Sequence, residues 1–139
     1  MKYNKLIPEL DVSNIMVTIE FYKNIGFNEK YSRDEDKFVF LELEGSQFMM
    51  QEIAKECKWK TAELKYPYGR GINFQLEVTN IENIYKKSLE NNYNIFEEIQ
   101  ENWYRNKNKL LGNKEFLLMD PDGYLLRFSE DIGEKEILD

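Results

Sequence analysis

The sequence predicts an α+β fold: two tandem βαβββ units forming a curved eight-stranded mixed sheet, with helices on the convex side. Two repeats and one alternation of period predict it. Val12-Ser13-Asn14-Ile15 opens one apolar-periodic run and Val78-Thr79-Asn80-Ile81 opens another, an offset of 66 residues (78 − 12). The turn at Gly45 has a counterpart at Gly123, an offset of 78 (123 − 45), each followed by an apolar strand. Within each repeat, one stretch of helical period lies among stretches that alternate residue by residue. The chain then divides as a single domain over 1–139: a first unit 6–53, a linker 54–70, a second unit 71–130 and a tail 131–139.

In the first unit, residues 6–12 alternate like a half-buried strand, and Pro8 places that strand near a sheet edge. Asn14 is a helix N-cap, and Ile15, Ile19, Tyr22 and Ile25 recur at helical spacing up to Gly26. Residues 27–33 form a short strand. Strands 38–43 and 47–53 make a hairpin through Glu44-Gly45-Ser46. Residues 54–70 are polar and irregular, with room for a short helix. In the second unit, 72–78 alternate, Asn80 caps a helix carrying Ile81, Ile84, Tyr85 and Leu89, and 93–99 read as a strand. Residues 100–112 read as a polar loop holding Trp103 and Tyr104. Strands 116–119 and 124–128 join through Asp120-Pro121-Asp122-Gly123, and the acidic tail from Asp131 frays or packs on a partner.

Composition narrows the function. The chain has 139 residues, 42% hydrophobic and 14% aromatic, enough to fold one core despite 32% charged residues. A net charge of −7 argues against nucleic acid, whose phosphates select basic patches. No apolar run is long enough to span a membrane. Met1 to Lys5 leads into a strand-like segment and does not read as a signal peptide. One cysteine, Cys57, without an activating histidine, fits a reducing cytosol and an inert thiol. Histidine is absent, which excludes Ser-His and Cys-His nucleophilic mechanisms and removes the commonest transition-metal ligand. The expected location is cytoplasmic.

Strand alternation then sorts residues by face. Ile72, Phe74, Leu76 and Val78 share the helix side, with Tyr124, Leu126 and Phe128. The concave side receives Phe38, Phe40, Glu42, Met49, Gln51, Asn73, Gln75, Glu77 and Arg127. Such a mixture of aromatics, amides and charges is poor core material and good ligand lining. Phe38 and Phe40 read as either core or lining, with lining favoured because Val39, Leu41 and Leu43 already supply the helix side. Trp103 and Tyr104 read equally as a loop anchor or as ligand contacts, and Trp59 as an interface or packing residue. Tyr66, Tyr68 and Arg70 stand where they could rim a cleft. Arg127 requires a carboxylate partner, with Glu42 and Glu77 the candidates.

The paired units, with Pro8-Glu9-Leu10-Asp11-Val12-Ser13-Asn14, Phe21-Tyr22, Gly26-Phe27 and the run from Glu115 through Asp120-Pro121-Asp122-Gly123 to Phe128, resemble the vicinal oxygen chelate superfamily. That superfamily includes glyoxalase I, extradiol dioxygenases, and fosfomycin- and bleomycin-resistance proteins. The ending Tyr124-Leu125-Leu126-Arg127-Phe128 looks most like the bleomycin-resistance branch. The resemblance implies four metal-ligand positions, falling here on Ile7, Met49, Asn73 and Arg127. Isoleucine cannot ligate, methionine is too soft for a hard divalent ion, and arginine repels one. No metal and no cofactor are therefore expected. The bleomycin-resistance branch implies a homodimer that sequesters a planar, cationic antibiotic without catalysis, stacking its rings between aromatic side chains, with Phe38 at a stacking position. The expected ligand-binding residues are Phe38, Phe40, Met49, Gln51, Asn73, Gln75, Trp103, Tyr104 and Arg127. The rival readings are a metal-independent enzyme of this fold and a small-molecule sensor.

Overall fold

The computed structural model describes residues 2–54 and 59–137. Cys57 lies outside the described residues. The elements run β1 (Glu9–Val12), α1 (Ile15–Asn24), β2 (Asn28–Arg33), a 3-10 turn (Asp34–Asp36), β3 (Phe38–Leu43), β4 (Ser46–Glu52), β5 (Asn73–Glu77), α2 (Ile81–Glu90), β6 (Asn94–Asn106), β7 (Lys109–Met119) and β8 (Leu125–Glu136). The eight expected strands form two four-stranded mixed sheets, ordered β1-β4-β3-β2 and β5-β8-β7-β6. In each, the edge strand β1 or β5 pairs in parallel with its neighbour, and the other two ladders are antiparallel.

The repeat is obeyed by the register. Glu9 pairs with Met49 and Leu10 with Met50; Gln75 pairs with Arg127 and Leu76 with Phe128. These are the same pairings displaced by 66 on one strand (75 − 9) and 78 on the other (127 − 49). The repeat extends to the helix caps. Asn14 accepts hydrogen bonds from the backbone N–H of Met16 and Val17, and Asn80 accepts from Asn83. Such caps contribute about 1 kcal/mol each. A second carboxylate cap recurs: Ile15 N–H donates to Glu52 at 3.1 Å, and Ile81 N–H to Glu130 at 2.9 Å. A negative charge there also suits the helix dipole.

Two compact units emerge: Met1–Arg70 with Asp120–Tyr124, and Gly71–Met119 with Leu125–Asp139. In the first, Leu10, Val12, Val39, Leu41, Phe48 and Met50 are buried, and α1 packs on β3 and β4 through Ile15, Phe21 and Tyr22. Each fully buried aliphatic or aromatic side chain contributes about 1.5–3 kcal/mol. Ile19 is only half-buried; Thr18 takes the deeper place on that helix face. In the second, Leu76, Phe116, Leu118, Leu126 and Phe128 are buried on the α2 side, with Ile81 and Ile84. Ile72 departs from its expected place: it precedes β5 and is 50% exposed.

The Asp120–Tyr124 turn, a hairpin of the second repeat, is structurally part of the first unit. Tyr22 Oη donates to Asp120 Oδ2 at 2.8 Å, Ser13 N–H to Asp122 Oδ2 at 3.0 Å, and Tyr124 Oη to the Asp11 carbonyl at 2.8 Å. Asp120 Oδ1 also accepts from the N–H groups of Asp122 and Tyr124. Gly123 has φ +87°, and a Cβ there would sit 2.4 Å from Pro67, so only glycine fits. Burial pushes the Asp120 carboxyl up to about 6, even though three hydrogen bonds oppose the shift. Burial likewise raises the Tyr22 hydroxyl, with the Asp120 charge adding to it.

Two sequence expectations fail together: residues 100–112 are not a loop, and the tail from Asp131 does not fray. Within 54–70 the described residues form no helix, and 55–58 lie outside the described residues. Strands β6 and β7 form one long hairpin from Asn94 to Met119, and β8 continues to Glu136 alongside it, with Lys109 opposite Glu136. The offset between β2 and β6 is 66 (94 − 28), while Glu42 and Met119 stand 77 apart (119 − 42). The difference of 11 residues (77 − 66) is a hairpin extension, and the tail supplies its third strand. Backbone ladders close this extension, so it needs no apolar alternation in its sequence.

Candidate functional site

The face of each sheet away from its helix carries the expected site residues other than Trp103. In the first unit Phe40 lies opposite Met49 and Phe38 opposite Gln51, as alternation required. Tyr31 on β2 faces Phe40, and Arg33 faces Phe38. The two phenylalanines are not open lining. Phe40 is fully buried and Phe38 4% exposed. Tyr31 stacks on Phe40 at 5.3 Å, Tyr3 meets it edge-on at 5.6 Å, and the Arg33 guanidinium covers Phe38 at 4.1 Å. Gln47 holds the Tyr3 segment down: its amide accepts from Asn4 N–H and donates to the Lys2 carbonyl, both at 2.8 Å. Aromatic pairs favour stacked and edge-to-face arrangements, and here the chain supplies its own partners. Met49 and Gln51 remain half-buried on this face.

In the second unit Asn73, Gln75 and Glu77 project from β5 beside Leu125, Arg127 and Ser129 of β8. All three β5 residues are exposed. Arg127 does not pair with Glu42 or Glu77. Its Nε and Nη2 reach the two oxygens of Glu115 at 2.9 and 3.1 Å, a bidentate fork. Glu115 is 4% exposed. Tyr104 completes the cluster, its hydroxyl 3.4 Å from both Glu115 and Arg127. Counting residues back from the Asp120 turn finds Glu115: Met119 opposes Leu125, Leu117 opposes Arg127, and Glu115 lies diagonally next.

Trp103 and Tyr104 sit on β6, where consecutive residues point to opposite faces. Tyr104, 43% exposed, shares the polar face with Arg127. Trp103 lies opposite Gly112. A Cβ on Gly112 would stand 2.5 Å from the Trp103 ring, so the glycine is what lets the indole lie flat on β7. Lys135 covers its other side at 3.8 Å, and its Nε1–H donates to Glu101. Trp103 thus packs within the extension, half-buried. Trp59 is 82% exposed, so its own unit gives it little packing. Tyr68 packs edge-on to Tyr124, and Arg70 donates to the carbonyls of Tyr66 and Pro67.

The chemistry of the four positions at which the resemblance implies metal ligands does not fit a metal. Ile7 and Met49 in the first unit supply no hard donor. In the second, Asn73 supplies one amide and Arg127 a cation already forked onto Glu115. Among the described residues, no three His, Cys, Asp or Glu side chains come together to hold a metal ion. No helix among them is long and apolar enough to cross a membrane.

No family model and no curated protein matches the chain. Solved structures do. A glyoxalase/bleomycin resistance protein/dioxygenase from Alicyclobacillus acidocaldarius is 16% identical, with a TM-score of 0.64 over 94% of this chain and 92% of that one. A mutant of the fosfomycin resistance protein FosX from Listeria monocytogenes, complexed with Mn(II) and a dihydroxypropylphosphonic acid, is 15% identical, with a TM-score of 0.62 over 94% and 93%. A glyoxalase/bleomycin resistance protein/dioxygenase superfamily member from Vibrio splendidus 12B01 is 32% identical over 88% of this chain and 95% of that one, at a TM-score of 0.42. Element order, repeat register and the two full-length superpositions above 0.6 agree: the chain has the tandem βαβββ fold of the glyoxalase/bleomycin resistance/dioxygenase, or vicinal oxygen chelate, superfamily.

Proposed function

We propose that this chain is a non-catalytic, cytoplasmic binding protein that sequesters a planar, cationic antibiotic of the bleomycin type and acts as a homodimer. The observation that carries the reading is Arg127. At a position where the resemblance implies a metal ligand, this chain has a cation locked onto Glu115. That arrangement orients polar groups instead of activating a bound oxygen. The face around it offers exposed amides, an exposed carboxylate at Glu77 and the exposed ring of Tyr104. The stacking role expected of Phe38 passes to Tyr104, because Phe38 is buried under Arg33.

The test is a titration of the protein with metal-free bleomycin, followed by tryptophan fluorescence. Saturable binding with bleomycin recovered unchanged supports the reading, and Tyr104→Ala should weaken it about tenfold through lost stacking and apolar contact. Absence of saturation, or conversion of the drug, overturns it. Sedimentation equilibrium should show twice the chain mass at micromolar concentration; a strict monomer contradicts the dimer.

A further inference from the structure

The hairpin extension has no counterpart in the first unit, and it builds a groove. Beyond Ser129 the β8 strand bulges, so that Asn113 opposes Asp131 while Gly112 opposes Gly133. The groove left there, of about 250 Å3, is lined by Gln75, Glu77, Asn113, Ser129, Asp131 and Glu134 over a floor of Leu111 and Gly112. We propose that this groove binds an elongated organic cation carrying spaced protonated amines, the class that polyamines represent. The proposal rests on the binding reading above and assigns the cationic part of its ligand to this place.

Three observations support it. The lining holds three carboxylates and no cation. Glu77 and Asp131 make no ion pair among the described residues, and Glu134 has only an exposed contact with Lys109 at 3.3 Å. One oxygen of Asp131 accepts from Gly133 N–H, which aims the carboxylate and leaves its other oxygen available. The carboxylates are also dispersed along the groove: no three of them converge on one point that could hold a metal ion. Spaced anions suit a ligand with spaced N–H donors. Finally, Ser129 is 2% exposed and lines the groove, yet its hydroxyl has no hydrogen-bond partner among the described residues. That hydroxyl opens onto the groove beside Glu77, placed to accept from a ligand N–H. Arg127 does not oppose a cation here, since Glu115 neutralises it.

Isothermal titration of the full chain with spermidine tests the assignment. Saturable one-to-one binding is expected, weakening as salt is added. The Glu77→Gln, Asp131→Asn double variant should lose at least tenfold in affinity, and Ser129→Ala about threefold. A variant neutralised elsewhere by the same amount, Glu20→Gln with Glu35→Gln, should bind as the parent does. Equal loss in both double variants means attraction to net charge alone and overturns the site, as does the absence of saturable binding. Melting curves confirm that each variant is folded. Spermidine binding without bleomycin binding retains the groove and rejects the antibiotic; bleomycin binding that ignores Glu77 and Asp131 does the reverse.

Discussion

Asp120 gives the protein a pH-dependent stability that can be worked from its surroundings. Its carboxyl is buried within the first unit, held by Tyr22 Oη and by the N–H groups of Asp122 and Tyr124. Desolvation outweighs those bonds and lifts its pKa from 3.8 to about 6. The difference corresponds to about 3 kcal/mol. Because the folded state holds the proton more tightly, this contribution is complete below about 3.8 and is lost as pH rises through about 6. Glu42 and Glu52 act oppositely. The Gln47 amide holds the first carboxyl low and Lys37 the second, so their contributions are present above 4.5 and are lost as pH falls. Comparing wild type with Asp120→Asn cancels those shared effects. Asparagine keeps an oxygen for the two N–H donors and offers its NH₂ to Tyr22. Urea unfolding should therefore show Asp120→Asn gaining on wild type by up to about 3 kcal/mol between pH 4 and 6.5. Tyr22→Phe removes a bond that restrains the shift, so its stability should decline over a window displaced to higher pH. Parallel stability curves for wild type and Asp120→Asn would refute the reasoning.

Other substitutions test the packing. Gly112→Ala should cost about 1–3 kcal/mol and shift the Trp103 emission, since its methyl meets the indole at 2.5 Å; an unchanged melting temperature contradicts that contact. Arg127→Met leaves a nearly buried Glu115 without its partner. With the arginine 30% exposed, the loss should be about 2 kcal/mol in chemical unfolding, below the range for fully buried pairs. Adding Glu115→Gln should recover most of it. Phe38→Ala should lose about 3–5 kcal/mol, because Phe38 is core; a loss under about 1 kcal/mol would return it to the surface.

Much of this was legible in the sequence because repeats and alternation report burial. The Val-x-Asn-Ile motif marked both helices; subtracting 66 placed Glu9 and Gln75, and subtracting 78 placed Met49 and Arg127, at equivalent positions, where the register puts them. The hairpin extension was hidden because both its faces are largely wet. Asn94–Asn106 carries charges and amides without apolar period, and exposed ladders impose none. The fate of Phe38 and Phe40 was hidden for another reason. Alternation assigns a face, and it does not say what covers that face; Tyr3, Tyr31 and Arg33 come from other segments of the first unit.

The central claim is that an organic cation is held, unchanged, on the polar face of the second unit. Amide chemical shifts of the ¹⁵N-labelled protein during titration with metal-free bleomycin, with mass spectrometry of the recovered drug, test it most directly. The account predicts saturable shifts centred on Gln75, Glu77, Asn113, Arg127 and Asp131, and a drug of unaltered mass. Shifts confined to other residues, or a chemically altered drug, would contradict it.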